Sequence, residues 1–139
     1  MPQRTPGPIV AVEVPAPLDR DGKAAWLTQN QRLHHRVKAP ITKAWRQAAA
    51  DAAEPIAALH VFARPVHITL TAYRTGRALD ADGIAPSAKA AIDGLVDAGL
   101  LPDDSPKFVH AVTYRTAPKA SANVLVIEIK ETRLSLIHI

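Results

Sequence analysis

Between residues 80 and 104, acidic side chains and a lysine are spaced as they would be in a site for a divalent metal ion. Asp80 and Asp82 are one residue apart, Lys89 follows them, and Asp104 ends the stretch. In an extended segment, residues i and i+2 project to the same side, so Asp80 and Asp82 can present convergent carboxylates. Hard divalent cations prefer such oxygen ligands, and a cation held here could act on a phosphodiester bond.

Ordinary structural roles would also account for each part of this pattern taken alone. Asp82-Gly83 is typical of a turn, Asp103-Asp104 is typical of a solvated loop, and Lys89 can pair with Asp93 one helical turn later. A calcium-binding EF-hand is excluded, because Ala78 and Lys89 would then stand at the first and last ligand positions. The combination of clustered acids with a lysine favours a metal site, since the lysine offsets the repulsion between carboxylates.

A strand and a helix must position these side chains. Residues 66–73 alternate apolar and polar side chains, which predicts a half-buried strand. A loop follows, and Ser87 is a suitable N-cap for a helix that runs to about Ala98 and ends at Gly99. We therefore expect Lys89 to lie near the start of this helix.

The chain after the helix must turn back if Asp104 is to join the other acids. The helix advances about 18 Å, and an extended segment from Gly99 to Asp104 can span about the same distance, so the return is feasible. Neighbouring side chains of an extended segment face opposite ways, so Asp103 and Asp104 would point in different directions.

The whole pattern of elements predicts an α+β fold. The segments outside residues 66–99 are predicted as a strand, a basic loop, a helix and two further strands: residues 9–14, 18–38, 40–55, 107–116 and 122–131. The helix is expected to start at Pro40 and to stop at Pro55, and the last two strands most simply form a hairpin. The predicted order is β-α-β-α-β-β in a single small domain, a mixed sheet with helices packed on it. Trp26 and Trp45 are expected to pack in its core.

This domain is expected to cover residues 1–133. Residues 134–139 match the in-frame translation of a transposon-end adapter used in sequencing-library preparation, so we expect a non-native tail. A short native apolar strand is the alternative for these residues. The two assignments are distinguished by resequencing the locus.

The charge balance favours a polyanionic partner. Lys and Arg number 17 against 13 Asp and Glu, for a net charge of +4. There is no cysteine, which excludes disulfides, thiol nucleophiles and cysteine-ligated zinc. No apolar run reaches membrane-spanning length, so we expect a cytoplasmic protein with no membrane partner.

Basic and polar side chains that could contact DNA phosphates cluster in two places. They are Asn30, Arg32, His34, Arg36, Lys38 and Lys43 in the first cluster, and Arg74 and Arg77 just before Asp80 in the second. A solvated loop and helix start would account for the first cluster equally well on charge alone.

Residues 80–104 resemble the RusA-type Holliday junction resolvases, especially phage and prophage members. The family pattern is an Asp-x-Asp-Asn loop, an early helical Lys, an Ile/Leu-Asp-Gly/Ala-Leu turn, an Ala-Gly helix end and a closing Asp-Asp. The matching residues here are Asp80-Ala81-Asp82-Gly83, Lys89, Ile92-Asp93-Gly94-Leu95, Ala98-Gly99 and Asp103-Asp104. Gly83 stands where the family usually has Asn, and an insertion separates it from Lys89 compared with the shorter bacterial form.

The resemblance implies an Mg²⁺-dependent endodeoxyribonuclease that resolves four-way DNA junctions. It implies that Asp80, Asp82 and Asp104 bind one or two Mg²⁺ ions, with Mn²⁺ as a possible substitute, and that Lys89 is the catalytic lysine. Asp103 matches the noncatalytic first residue of the closing pair. Family members are homodimers that cut branched DNA, the Holliday junction, symmetrically. A noncatalytic basic DNA-binding module with the same scaffold is the alternative, and a basic structural protein is a third.

Overall fold

A computed structural model describes residues 9–28, 34–78 and 80–132. Within these ranges the chain forms a four-stranded sheet, two α-helices and one short 3₁₀ helix. The elements in chain order are β1 (Ile9–Pro15), α1 (His35–Ala57), β2 (Val66–Tyr73), the 3₁₀ helix (Ala81–Ile84), α2 (Ala85–Asp97), β3 (Val109–Thr116) and β4 (Val124–Glu131). The predicted α+β class and the order β-α-β-α-β-β are confirmed. Residues 134–139, the predicted tail, lie outside the described residues.

The sheet has the strand order β1-β4-β2-β3, so β4 lies between the first two strands of the chain. β4 pairs antiparallel with both β1 and β2, whereas β3 pairs parallel with β2. The predicted β3–β4 hairpin is therefore wrong. The physical reason lies in burial: Leu125, Ile127 and Ile129 of β4 are fully buried, which suits a central strand, while most of β3 is exposed or half-buried, which suits an edge.

The core forms between the sheet and the two helices. Along β2, Val66, Ile68, Leu70 and Ala72 are at most 1% exposed, as their alternation predicts. The predicted packing roles of the tryptophans are also confirmed, because Trp26 and Trp45 are at most 5% exposed and their ring centroids lie 5.0 Å apart.

Both helices begin earlier than the sequence predicts. α1 begins at His35 rather than Pro40, because the imidazole of His34 accepts a hydrogen bond from the Arg36 N–H and caps the helix. Pro40 lies inside the helix near its exposed first turns, where water can satisfy the carbonyl that lacks a donor. Pro55 does not stop the helix, which ends two residues later at Ala57.

α2 begins at Ala85, and Pro86 occupies its first turn, where a missing N–H costs nothing. Ser87 is therefore not the N-cap that was predicted. Gly99 follows the helix with φ +82°, which confirms the predicted stop at a glycine in the left-handed region. Among the described residues, no helix is long and apolar enough to cross a membrane.

Candidate active site

Lys89 and Asp104 meet across the turn that follows α2. The Nζ of Lys89 lies 2.5 Å from Oδ2 of Asp104 and 3.2 Å from Oδ1 of Asp93, one helical turn along α2. The chain turns back after α2, as the helix length and the reach of the segment allow, but the residue it brings Asp104 to is Lys89. One ammonium is thus shared by two carboxylates, which a lysine can satisfy with separate N–H donors.

Two buried leucines anchor the segment that carries Asp104 back. Leu100 and Leu101 are fully buried, and the Leu100 carbonyl accepts a hydrogen bond from the Phe62 N–H at 3.1 Å. Beyond them, the Asp103 carboxylate accepts from the Ser105 N–H and closes its own turn, while Asp104 faces Lys89. Asp103 and Asp104 therefore point in different directions, as the sequence predicts.

The ion pair between Lys89 and Asp104 changes the pKa of each of these two residues. The hydrogen bond from Lys89 lowers the pKa of Asp104 below its ordinary value. The same hydrogen bond, with a smaller contribution from Asp93, raises the pKa of Lys89. Lys89 is therefore a full positive charge and Asp104 a full negative charge at neutral pH.

Asp80 and Asp82 precede α2 in the chain. Both are exposed; Asp80 immediately precedes the 3₁₀ helix and Asp82 lies within it. The Asp80 carbonyl accepts from the Gly83 N–H, and the Asp82 carbonyl accepts from the N–H of Ala85. The insertion that the sequence predicts as loop is therefore a helical turn continuous with α2.

Asp80 and Asp82 do not form a group of three carboxylates with Asp104. In the described part of the chain, no three His, Cys, Asp or Glu side chains are grouped so that they could hold one metal ion. The structure thus brings Asp104 to Lys89, and it does not bring Asp80, Asp82 and Asp104 around one point.

The donor chemistry of these residues still fits Mg²⁺. Asp80, Asp82 and Asp104 are exposed carboxylates, the ligand type that Mg²⁺ takes while keeping several waters. Asp93 and Asp104 already hold one cation between them, the ammonium of Lys89. Each carboxylate is therefore suited to Mg²⁺ in type, whereas a three-carboxylate arrangement is not formed.

Helix α2 is held against α1 by a close backbone approach and an ion pair. A Cβ added at Gly94 would lie 2.2 Å from the Arg46 carbonyl oxygen and 2.9 Å from the Cβ of Ala49, so only glycine fits. One turn later, Arg46 donates two hydrogen bonds to the Asp97 carboxylate. The bidentate contact raises the pKa of Arg46 and lowers that of Asp97.

The first cluster of predicted DNA-contacting residues is described only in part. Asn30 and Arg32 lie outside the described residues. His34, Arg36, Lys38 and Lys43 are exposed at the start of α1, and His35, Lys38, Thr42, Lys43 and Arg46 help to line an open groove of about 420 Å³. This end of α1 is basic and accessible.

Arg74 differs from the other predicted contacts because it is engaged within the protein. Its guanidinium lies over the Trp26 ring, 5.7 Å from the centroid, and its Nη1 donates to the Arg77 carbonyl at 3.0 Å. Partial burial lowers its pKa. Arg77 itself is exposed.

Sequence reasoning missed Asn123, which connects the loop before Asp80 to the Trp26 segment. Its side-chain oxygen accepts from the Trp26 Nε1–H and from the Thr75 N–H, both at 3.2 Å, and its amide donates to the Thr75 hydroxyl. No local sequence pattern marks such a long-range hub. Asp93 was also left out of the predicted site, although its position four residues after Lys89 was a usable signal.

Comparison of the chain with models of known protein families and with curated proteins gave no match.

Proposed function

We propose that the protein is an Mg²⁺-dependent endodeoxyribonuclease that resolves four-way DNA junctions by paired phosphodiester hydrolysis, and that it acts as a homodimer. The observation that best supports the proposal is the contact of Lys89 with Asp104, which lie on opposite sides of the turn after α2. The resemblance of residues 80–104 to RusA-type resolvases requires these two residues to be neighbours. A solvated acidic loop would not require it.

The exposed basic start of α1 supports a DNA substrate. His34, Arg36, Lys38 and Lys43 present donors that can bind phosphate oxygens without reading sequence. Such contacts suit an enzyme that recognises branched DNA by its shape. Arg77, which is exposed and lies three residues before Asp80 in the chain, adds a further positive charge.

In this proposal each residue of the site has a defined role. Asp80, Asp82 and Asp104 would supply the carboxylates that hold Mg²⁺, and the ion, when bound, would supply Lewis acidity for phosphodiester hydrolysis. Lys89, which is fully protonated, offsets negative charge that develops on the phosphoryl oxygens. The basic residues of α1 hold the DNA backbone in place.

Cleavage of a synthetic four-way junction tests this function. Wild-type protein with Mg²⁺ should nick the junction, and Asp82→Asn and Asp104→Asn should each lower the rate by about 100-fold or more. Asp103→Asn is the matched control, because it removes the same charge from the neighbouring residue, whose carboxylate caps Ser105. Mn²⁺ should replace Mg²⁺. Equal nicking by wild type and Asp82→Asn would contradict the assignment.

A noncatalytic DNA-binding module is the second candidate, and one observation favours it. Asp80 and Asp82 are not grouped with Asp104 in the described chain. This function predicts junction binding that is independent of Mg²⁺, with no strand scission at any ion concentration. Binding and cleavage measured on the same junction therefore separate the two candidates.

The homodimer is a separate part of the proposal. Symmetric resolution needs two strands to be cut, and two copies of one site supply this most simply. Sedimentation equilibrium should give twice the chain mass at the concentrations that cleave. A cleaving monomer would contradict it.

A further inference from the structure

Asp93 and Asp104 hold the same ammonium but belong to different parts of the fold. Asp93 lies on α2, four residues after Lys89, and its side chain is 30% exposed. Asp104 lies on the return segment after the helix. The side chain of Lys89 is 63% exposed, and its ammonium is held at this surface by the carboxylates of Asp93 and Asp104.

The two partners are not equivalent if Asp104 binds a divalent cation. The carboxylate of Asp104 would then be engaged by the ion, and the ammonium of Lys89 would lose its closer partner. A lysine with no partner regains several rotamers and leaves the site for much of the time. Asp93 remains within one helical turn and needs no movement of the backbone to keep Lys89 in place.

We infer that Asp93 is a positioning residue, which holds the ammonium of Lys89 beside the site while Asp104 is engaged by a divalent cation. The inference rests on the role of Asp104 as a magnesium ligand within the proposed function. Asp93 has a second effect under this inference. Without Asp93, Lys89 and the cation compete for the carboxylate of Asp104, and the cation binds more weakly.

A double-mutant cycle on Mg²⁺ binding tests this inference without using catalysis. Calorimetric titration of MgCl₂ into the full chain, without DNA, compares wild type, Asp93→Asn, Lys89→Met and the double variant. Asp93→Asn should weaken Mg²⁺ binding by about tenfold. In the Lys89→Met background, Asp93→Asn should weaken Mg²⁺ binding by about threefold or less. Asp93 acts through Lys89, so without Lys89 only the charge of Asp93 is lost.

Two further variants make the result specific. Asp97→Asn removes an equal charge from the next turn of α2, where the carboxylate is held by Arg46, and should change Mg²⁺ affinity by less than about twofold. Asp93→Glu keeps a carboxylate within reach of Lys89 and should retain the wild-type affinity within about threefold. Circular dichroism melting checks that each variant is folded.

The outcomes that overturn the inference are separable from those that overturn the proposed function. An equal loss from Asp93→Asn in both backgrounds would mean that Asp93 acts on the cation directly, and no loss in either would mean that it has no role. A wild type that takes up no Mg²⁺ would overturn both the inference and the magnesium site. Coupled Mg²⁺ binding without junction cleavage would overturn the nuclease function alone.

Discussion

The hydroxyl of Ser87 makes two hydrogen bonds with the backbone of Leu27, accepting from its N–H at 2.8 Å and donating to its carbonyl at 2.9 Å. Ser87 lies in the first turn of α2 and is fully buried. Leu27 lies just before the predicted DNA-contacting segment that begins at Asn30. One side chain therefore fixes the start of α2 relative to the chain that enters the basic segment, and Trp45 adds a bond of 2.7 Å to the Ala25 carbonyl.

Replacing Ser87 by alanine should destabilise the fold more than its size suggests. Ser87→Ala leaves a buried N–H and a buried carbonyl of Leu27 without their partner, which should cost about 2 kcal/mol or more. Urea unfolding measures the loss. The exposed Ser121→Ala is the control and should stay within about 0.5 kcal/mol of wild type. A loss from Ser87→Ala as small as that of the control would contradict the role of the two hydrogen bonds.

Gly94→Ala should separate the two helices. The added methyl would overlap the Arg46 carbonyl and the Ala50 backbone nitrogen, neither of which can rotate away. We expect a loss of about 3 kcal/mol or more in the free energy of unfolding. Gly76→Ala is the matched control, since a Cβ there has nothing within 4 Å. Thermal melting of the two variants checks the prediction. Unchanged stability of Gly94→Ala would contradict it.

The Lys89–Asp104 ion pair should stabilise the fold only between two pH limits. The raised pKa of Lys89 means that its contribution is complete below the ordinary lysine value of about 10.4 and is lost as pH rises through the folded value. The lowered pKa of Asp104 means that its contribution is present above about pH 4 and is lost as pH falls through the folded value. The pair therefore acts from about pH 4 to about pH 10.

Unfolding of wild type and Asp104→Asn from about pH 2 to about pH 12, beyond both limits, tests the pair. Their difference should be largest near neutral pH and should vanish at both extremes. Because the side chains of Lys89 and Asp104 are 63% and 36% exposed, the difference should stay below about 1 kcal/mol. Asp103→Asn provides the baseline, and a difference that persists at pH 2 would contradict the assignment.

The proposed DNA contacts should separate in their salt dependence. Lys43→Ala removes an exposed charge from α1 and should weaken junction binding on all sequences, lowering the slope of log affinity against log salt by about 1. Arg74→Ala should instead lower folding stability, because Arg74 covers Trp26 and holds the Arg77 carbonyl. Fluorescence anisotropy over a salt series measures the slopes. Equal slope changes in the two variants would contradict this division.

Local patterns predicted some elements well and others poorly. The bounds of β2 match the prediction because strict alternation from Val66 to Tyr73 is a local signal of a strand with one buried face. The hairpin prediction failed because strand pairing depends on burial across the sheet, which neighbouring residues do not encode. Pro55 was misleading for a related reason: proline lacks one donor, but the helical turn around it can persist where packing holds it.

The candidate site was predictable in part. Spacing alone showed that the chain could turn back after α2, since the helix length and the reach of the return segment are set by covalent geometry. It did not show that Asp104 would lie beside Lys89. The position of Asp80 and Asp82 was not predictable in this way. Their distance from Lys89 depends on whether the residues after Gly83 are helical or extended. These residues are helical, since they form the end of the 3₁₀ helix and the first turn of α2.

The central place of β4 has a consequence for the order of events during synthesis. Within the residues that the structure describes, β1 pairs with β4 alone, and the partner of Val12 is Ile127, far along the chain. As the protein leaves the ribosome, β1 must wait with its backbone unpaired until almost every later element has been made. The two helices and the parallel β2–β3 pair can assemble first, so closure of the sheet by β4 is the late step, and such distant pairing slows folding.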